Sequence, residues 1–344
     1  MIRFECDYAE GAHPAILEKM ISTNMEQTAG YGLDPHCERA RELVKKECCR
    51  DDVDVHFIVG GTQTNTIMIA AMLKPYQGII SADTGHIAGH ETGSIEATGH
   101  KVITVPSPDG KITASQIAQV YDYHYAQGNR EHLTQPGAVY ISHPTENGTT
   151  YTKDELIEIS NTCKQRNIPL FLDGARLGYG MAAPDSTIDI KDLAQYCDAF
   201  YIGGTKVGAL FGEALVIVND SFKADFRYHI KQRGAMLAKG RLLGIQFEGL
   251  FEDGLYYRIS KNAIDKAMQI KQAFKEKGYN FLYESTTNQQ FPILPNDVMK
   301  KLGEKYSFSY WADVNANHTA VRFCTSWATS QENVDTLLED IKNI

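Results

Sequence analysis

A single charged side chain, Lys206, lies in an otherwise apolar and glycine-rich stretch of the sequence. The stretch covers residues 200–212 and reads FYIGGTKVGALFG. A lysine that loses its hydration favours the neutral amine, and a neutral amine condenses with an aldehyde to form a Schiff base. Most lysines are exposed surface residues, but flanking glycines after a strand are typical of a loop that approaches a ligand closely. We therefore interpret Lys206 as a candidate nucleophile.

A carboxylate, Asp173, ends the apolar run of the segment FLDGARL at 171–177. Ligands bind beyond the carboxyl ends of strands in open α/β sheets, so a carboxylate there can pair with a cationic nitrogen of a ligand. A helix N-cap or a loop carboxylate is an equally valid interpretation of Asp173 alone. The interval between Asp173 and Lys206 accommodates one helix and one strand.

Two glycines in the segment FIVGGTQTN, at 57–65, lead from a predicted strand into a predicted helix. Backbone amides at such a helix start, together with the hydroxyl of Thr62, suit an anion such as phosphate. The segment matches neither G-x-x-x-x-G-K-[ST] nor G-x-G-x-x-G, so the nucleotide-binding fingerprints are absent. An ordinary strand-to-helix turn remains the alternative for this motif alone.

Two histidines, His86 and His90, flank a glycine-rich turn. His86 is suited either to stacking on an aromatic ring or to a purely structural role. A zinc site is poorly supported, because no H-E-x-x-H helix surrounds the pair and Gly89 weakens a helix there; we predict no metal.

Amine, carboxylate, anion site and stacking ring together favour an aldehyde cofactor with a ring nitrogen and an anionic tail. Pyridoxal phosphate has all of these features.

The elements that would position these residues alternate along the chain. Short apolar runs, read as strands, lie at 55–59, 78–82, 101–105, 138–142, 169–173, 199–202 and 214–218. Helical patterns, such as 64–72 and 153–165, separate several of them. Alternating strands and helices predict βαβ units. We therefore expect an α/β fold with a mostly parallel seven-stranded sheet flanked by helices.

The pattern changes after residue 218. Helices are predicted at 220–237, 241–252 and 260–276, followed by extended segments at 279–284 and 321–324 and a terminal helix at 330–344. This change predicts a boundary near Gly254. We expect a large ligand-binding domain at 1–254, including an N-terminal segment at 1–20, and a smaller C-terminal α+β domain at 255–344.

Composition excludes several classes of function. The net charge is −9 and the 34 Lys and Arg residues are dispersed, which disfavours nucleic acid and membrane partners and favours a small-molecule substrate. Seven cysteines, two of them adjacent, include no Cys-x-x-Cys pair, so we expect reduced thiols rather than a disulfide framework. The first residues lack signal-peptide features and no long apolar run is present. We expect a cytoplasmic protein.

The ordered motifs GTQ-x-N, GHI, DGARL, TK and VRF resemble those of a known family. The chain, from about Phe4 to its C-terminus, is similar to fold-type I pyridoxal-phosphate enzymes of the low-specificity L-threonine aldolase and beta-eliminating lyase family. The resemblance implies the PLP-dependent transferase-like fold and cleavage of L-threonine or L-allo-threonine to glycine and an aldehyde. β-Elimination or racemisation of a different amino acid is the alternative. Retention of Lys206, Asp173 and Arg322 argues against a protein that binds the cofactor without catalysis.

The resemblance also implies roles for individual residues. Lys206 would carry the cofactor and move protons, Asp173 would keep the ring nitrogen protonated, and His86 would stack on the ring. Arg176 and Arg322 resemble the ligands of the substrate carboxylate, since a guanidinium can hold a carboxylate with two bonds. The cofactor-binding set is Gly61, Thr62, Gln63, His86, Asp173, Arg176, Thr205, Lys206 and Lys239.

Tyr31 and Cys6 complete the substrate-binding positions that the resemblance implies. Tyr31 lies where family members reach into the site of a neighbouring subunit, which implies a homodimer or homotetramer with active sites at the dimer interface. Cys6 takes the place of a serine that is usual near the substrate carboxylate.

Two further positions depart from the family pattern. Glu146, in the segment HPTEN, replaces the histidine that assists at the substrate hydroxyl. Its carboxylate is a candidate for that base, directly or through a water molecule, and the alternative is that it selects a different β-substituent. The usual GGGMRQ segment is absent; its counterpart at 232–241 reads QRGAMLAKGR. There, Lys239 or Arg233 would supply the positive charge to the phosphate.

Overall fold

The structure, a computed structural model, describes residues 1–344. The helices are α1 Pro14–Ser22, α2 Pro35–Cys48, α3 Gly61–Met72, α4 His86–Gly89, α5 Ala114–Ala126, α6 Lys153–Arg166, α7 Leu177–Ala182, α8 Ile190–Tyr196, α9 Phe226–Gln232, α10 Arg241–Phe251, α11 Leu255–Glu276, α12 Asn296–Gly303 and α13 Gln331–Lys342. The strands are β1 Ile2–Arg3, β2 Asp54–Ile58, β3 Gln77–Ala82, β4 Lys101–Val105, β5 Gln135–Ser142, β6 Leu170–Asp173, β7 Ala199–Gly203, β8 Glu213–Ile217, β9 Gln289–Gln290, β10 Ile293–Pro295, β11 Tyr306–Ser307, β12 Ser309–Asn315 and β13 His318–Cys324. Short 3-10 turns occupy Glu96–Thr98, Arg130–His132 and Asp220–Phe222.

A seven-stranded sheet with the order β2-β8-β7-β6-β5-β3-β4 forms the large part of the molecule. The pairs from β7 to β4 are all parallel, whereas β8 runs antiparallel to both of its neighbours. The carboxyl ends of β5, β6 and β7 therefore meet at one edge of the sheet. The predicted mostly parallel sheet of seven strands is confirmed.

Both faces of this sheet are buried, as alternation along β6 illustrates. Leu170 and Leu172 belong to the core on one face, and Phe171 belongs to the core on the other. Because successive side chains of a strand point to opposite faces, continuous burial in β6 requires helices on both sides of the sheet. The flanking helices supply that cover, and the strand ends remain the place where a ligand can reach the backbone.

A smaller sheet, β10-β13-β12 with β9 beside β13, forms the C-terminal part with α11, α12 and α13. The start of the chain also packs there, because β1 pairs with β11 and Phe4 lies in the same core as Phe274. Gly254, with φ of +64°, directly precedes α11. A boundary near Gly254 stays a prediction.

Two predicted segments differ from the observed backbone. The continuous helix expected at 220–237 is wrong: Asp225 adopts a left-handed φ of 60° before α9, and Gly234 adopts one of 70° after it. A right-handed helix cannot pass through either residue. Segment 279–284 contributes only an isolated bridge between Phe281 and Pro292. No helix has both the length and the apolar character that a membrane span requires.

Candidate active site

A cavity of about 190 Å³ lies at the carboxyl ends of β5, β6 and β7. Residues from segments far apart in the sequence converge on it. The predicted residues that line it are Gly61, Thr62, His86, Glu146, Asp173, Arg176, Thr205 and Lys206. The chain therefore brings the amine, the carboxylates and the start of α3 into one pocket.

Asp173 ends β6 at the floor of this cavity, and both of its carboxylate oxygens have partners. Oδ2 accepts hydrogen bonds from the Tyr140 hydroxyl at 2.6 Å and from Asn65 Nδ2 at 3.1 Å, and Oδ1 accepts one from the Ala175 amide at 2.9 Å. Burial alone would raise the pKa of Asp173, but the nearby His86 and the hydrogen bonds outweigh it and lower the pKa. Asp173 is therefore held as a carboxylate.

His86 begins α4 and is fixed by a buried acid that the sequence analysis did not identify. Its Nδ1 lies 2.8 Å from Oε1 of Glu91, and the same oxygen accepts a hydrogen bond from Asn65 Nδ2 at 2.8 Å. Burial would lower the pKa of His86, but the bond to Glu91 and the charge of Asp173 raise it overall. Asn65 thereby links the two carboxylates and fixes the orientation of the imidazole ring.

Lys206 lines the cavity, and its amine makes no hydrogen bond or ion pair within the chain. Its backbone is fixed, because the Tyr179 hydroxyl donates to the Lys206 carbonyl at 2.6 Å. Burial, followed by the charge of Arg176, lowers the pKa of Lys206, although Asp7, Asp173 and Glu213 oppose that shift. The lysine thus combines a fixed backbone with a free amine that deprotonates more readily than usual.

Glu213, the first residue of β8, supports the loop that presents the lysine. Its carboxylate accepts hydrogen bonds from the Thr205 hydroxyl at 2.8 Å and the Gly204 amide at 2.9 Å. Burial raises the pKa of Glu213 to about 7, against the opposing influence of Thr205 and Lys206. Thr205 lines the cavity beside these groups, as predicted.

The start of α3 provides unpaired amides at the same cavity. The Thr64 amide donates to the Gly60 carbonyl, whereas the amides of Gly61, Thr62 and Gln63 have no acceptor within the chain. A Cβ at Gly61 would approach the Tyr201 hydroxyl to 2.9 Å, so any other residue there would displace the Tyr201 side chain. These amides point their partial positive charge toward an anion, which fits the predicted phosphate site.

Gln63, Arg233 and Lys239, which were predicted to assist at the phosphate, differ in their exposure and in their contacts. Gln63 donates through Nε2 to the Arg233 carbonyl at 3.1 Å, and the Nε of Arg233 is buried without a partner. Lys239 is exposed and does not line the cavity of its own chain. Of the two cations, Arg233 is therefore the one tied to the start of α3.

Glu146 enters the cavity with one oxygen held and the other free. Oε1 accepts hydrogen bonds from the Ser142 hydroxyl at 2.7 Å and the His86 amide at 3.0 Å, while Oε2 is buried without a partner. Burial, reinforced by the charge of Asp173, raises the pKa of Glu146. A carboxylate in this state can accept a proton from a ligand through Oε2.

The two arginines predicted to bind a substrate carboxylate differ in their contacts. Arg176 faces Asp7, to which Nε donates at 2.6 Å and Nη2 at 3.0 Å. Arg322 donates through Nη2 to the Glu5 carbonyl at 2.9 Å and through Nη1 to Gln289 at 3.1 Å, and its Nε is buried without a partner. The segment from Glu5 to Asp7 therefore contacts both guanidinium groups.

Tyr31 and Cys6 lie outside the residues that line the cavity of this chain. Cys6 is a half-buried free thiol between the two residues that contact the arginines. Tyr31 is 47% exposed, has a left-handed φ of 61°, and stacks its ring under Lys231 at 5.1 Å. An exposed aromatic ring on a fixed backbone is compatible with the predicted reach toward a neighbouring subunit.

Sequence reasoning missed four site residues: Asp7, Glu91, Glu213 and the Asn65 amide that joins Glu91 to Asp173. Asn65 is the last residue of the GTQ-x-N motif, Glu91 directly follows His90, and Glu213 immediately follows the glycine-rich lysine segment. Asn65, Glu91 and Glu213 lie in or beside apolar or glycine-rich runs, which is the only signal of burial that the sequence offers for them, whereas Asp7, in the segment ECDYAE, has no such signal.

Comparisons with known proteins identify the family and the fold of the chain. The family model described as beta-eliminating lyase matches residues 4–295. A low specificity L-threonine aldolase from Pseudomonas sp. (strain NCIMB 10558) is 29% identical, and the alignment covers 99% of this chain and 97% of that protein.

Two solved structures define the fold. A Leishmania major threonine aldolase superposes with a TM-score of 0.97 at 43% identity, covering 100% of this chain and 99% of that one. A Thermus thermophilus aspartate aminotransferase superposes with a TM-score of 0.71 at 14% identity, covering 100% and 92%. The second likeness concerns the fold alone. The predicted fold type I architecture is confirmed.

Proposed function

Since the chain belongs to the beta-eliminating lyase family and is accordingly a lyase, we propose that it cleaves L-threonine or L-allo-threonine to glycine and an aldehyde with pyridoxal 5'-phosphate as cofactor. The support is the full-length similarity to low-specificity threonine aldolases together with the cavity. The substrate is a β-hydroxy-α-amino acid, a small molecule.

The residues present fit the cofactor. Lys206 offers a free amine, Asp173 a buried carboxylate for a protonated ring nitrogen, and the start of α3 offers unpaired amides for a phosphate. His86, held by Glu91, offers its ring for stacking. When bound, pyridoxal phosphate supplies an electron sink for the pair released as the Cα–Cβ bond breaks. The protein supplies orientation and proton transfer.

The observation that carries the proposal is the free Oε2 of Glu146 in the same cavity as Lys206 and Asp173. Oε1 is fixed by Ser142 and the His86 amide, so Oε2 is held in place to accept the proton of the substrate β-hydroxyl. The Cα–Cβ bond then breaks and the aldehyde leaves. Lys206 returns a proton to Cα, giving glycine, and Arg176 and Arg322 hold the substrate carboxylate.

β-Elimination or racemisation is the second candidate, and the raised pKa of Glu146 favours it. Burial and the charge of Asp173 raise the pKa of Glu146, which favours its protonated form relative to an exposed glutamate. A protonated Glu146 would donate to a leaving group at Cβ rather than accept a proton from it. Released pyruvate and ammonia, or deuterium exchange at Cα, would identify these reactions.

The proposal extends to assembly and location. We infer a homodimer or homotetramer whose active sites lie at the dimer interface, since the exposed Tyr31 and Lys239 do not serve the cavity of their own chain. We also infer a cytoplasmic protein, because all seven cysteines are free thiols. Size measurements in solution and fractionation of cells test these two inferences.

The decisive experiment is a substrate panel. Purified protein with added pyridoxal phosphate is incubated with L-threonine, L-allo-threonine, serine and phenylserine, and acetaldehyde or benzaldehyde and glycine are quantified. We expect glycine and aldehyde in equal amounts from at least one threonine diastereomer. Glu158→Gln, a change at an exposed position outside the cavity, is the matched control and should keep the activity of the unchanged protein.

Absence of aldehyde from both diastereomers would overturn the aldolase assignment. Pyruvate from serine under those conditions would transfer the assignment to β-elimination. Exchange of the Cα proton without bond cleavage would transfer it to racemisation.

A further inference from the structure

Asp7 occupies a position that the proposed reaction does not use. Its carboxylate is fully buried, yet it lies in the extended N-terminal segment rather than in the large sheet. It accepts two hydrogen bonds from Arg176, on the large sheet side of the cavity, and one from Asn288 Nδ2 at 3.0 Å. Asn288 precedes β9 in the C-terminal part of the chain. Three separate segments therefore meet at one carboxylate.

The geometry determines which atoms of Arg176 remain for a ligand. Asp7 occupies Nε and one hydrogen of Nη2. A guanidinium has five N–H donors in one plane, so both hydrogens of Nη1 and one of Nη2 stay available. Because Arg176 lines the cavity, these free donors are the part of the guanidinium that can hold a ligand there.

Asn288 extends this arrangement into the C-terminal part. The same Nδ2 that donates to Asp7 also donates to the Thr325 carbonyl at 2.8 Å. The neighbouring Gln289 accepts a hydrogen bond from Arg322. Both arginines are thus held by residues of one short buried segment, Arg322 directly and Arg176 through Asp7.

We propose that Asp7 is a positioning residue, whose carboxylate fixes the free edge of Arg176 toward the substrate and holds the C-terminal part of the chain against the same cavity. The substrate half of this inference depends on the proposed function. The charge arrangement around Lys206 does not, and it provides a separate readout.

The charged groups around Lys206 set the direction of that readout. Lys206 is faced by Arg176, Asp7, Asp173 and Glu213. Asp7 is itself faced by Arg176 and Lys206, and the nearby Cys324 thiol and Tyr179 phenol have a raised pKa and stay neutral. Despite burial, Arg176 and Lys206 lower the pKa of Asp7 to about 2. Asp7 therefore carries a constant negative charge beside Lys206 across the working pH range.

The test compares Asp7→Asn with the unchanged protein in two measurements. In the full-length apoprotein, pulse acetylation at a series of pH values followed by mass spectrometry gives the midpoint for Lys206. Loss of the Asp7 charge leaves the cationic amine less stabilised, so the midpoint should fall by about 1 pH unit. In the holoenzyme, KM for threonine should rise about tenfold or more, with kcat changed less than about threefold.

Two further variants separate charge from geometry. Asp7→Glu keeps the charge but displaces it by one methylene, so KM should rise while the labelling midpoint stays near that of the unchanged protein. If Asp7→Asn fails to fold, the KM of Asp7→Glu still tests the positioning of Arg176. Asn288→Ala removes the hydrogen bond from the C-terminal part, and KM should rise by a smaller factor, roughly threefold.

The outcomes are distinguishable. An unshifted labelling midpoint or an unchanged KM in Asp7→Asn overturns the proposal, as does an unchanged KM in Asp7→Glu. An unchanged KM in Asn288→Ala overturns the link to the C-terminal part. If the unchanged protein cleaves no threonine, the proposed function fails, and the apoprotein labelling still decides whether Asp7 controls the charge at Lys206.

Discussion

Two acids that line the cavity, Asp173 and Glu146, are supported in opposite ways. Every oxygen of Asp173 accepts a hydrogen bond from the protein, and its pKa is lowered. Glu146 has an unpaired buried oxygen, and its pKa is raised. The hydrogen-bonding capacity of Asp173 is used within the protein, whereas Glu146 keeps one oxygen that can accept a proton from a ligand.

This difference separates a supporting side from a reacting side. A group that must keep one charge throughout a reaction gains from a full set of fixed donors. A group that must change its protonation state needs an environment in which both states are accessible. Lys206, whose amine is free, belongs with Glu146, and Glu91 and Asp173 belong to the support.

Removal of the free amine should have the largest effect. Lys206→Ala should abolish an absorption band above roughly 400 nm and lower turnover at least about 10⁴-fold, because no other amine in the cavity can form the covalent link. The amine has no partner in the chain, so the melting temperature should not fall. Spectra and rates are compared with those of Lys74→Ala, a change at an exposed lysine two residues after α3. A retained band would remove Lys206 from this role.

A change on the supporting side should come next. Asp173→Asn keeps the size of the side chain but removes its charge, so the ring nitrogen is no longer held protonated. We expect retained cofactor absorption and a loss of turnover of about 10³-fold, in the range found when one charge-stabilising group is removed. Rates are measured at saturating cofactor, with Asp154→Asn at an exposed position as control. Turnover near that of the control would contradict the assignment.

A change on the reacting side should have a smaller effect on rate but a distinct pH signature. Glu146→Gln should lower kcat by about 10²-fold, at the lower end for loss of a general base. The base acts as a carboxylate, so the rate of the unchanged protein should fall as pH falls through a pKa above its ordinary value of 4.5. The variant should lack this limb. A limb that persists in Glu146→Gln would assign the base elsewhere.

The smallest effect on turnover is expected at Glu213, where stability is the better measurement. Its pKa is about 7 in the folded chain against an ordinary 4.5, so between these values the folded state holds a proton that the unfolded state has lost. Stability should therefore fall as pH rises through this window, by about 1.4 kcal/mol per pH unit from this group. Urea unfolding at pH 5 and pH 7 should show a smaller decrease for Glu213→Gln; an equal decrease would contradict the shift.

The sequence predicts a site residue correctly where the residue and the strand that positions it are adjacent in the chain. Asp173 ends a strand that has its own apolar run, and Lys206 and His86 each follow such a strand, so their convergence could be predicted from the parallel pairing of these strands. Asp225 shows where local patterns fail: Gly234 could have indicated the later break in the segment at 220–237, but its apolar pattern does not indicate the left-handed Asp225 that interrupts the helix.

Partners that lie far apart in the chain could not be predicted. The sequence pointed to Cys6, but its neighbour Asp7 makes the contact to Arg176, and whether a side chain faces the cavity depends on the packing of the whole chain. Lys239 illustrates the same limit. Its charge suited the phosphate, yet the turn after α9 leaves it exposed and away from the cavity of its own chain.

The contact between Asp7 and Asn288 spans 281 positions, and this separation bears on how the protein is made. During synthesis the large sheet, with Lys206 and Asp173, is complete long before Asn288 leaves the ribosome. Contacts of such high order form late in folding, since they close the longest loop. A growing chain would therefore complete the strands that carry Lys206 and Asp173 before the contact that joins Asp7 to Asn288, and through it to Arg176, can close.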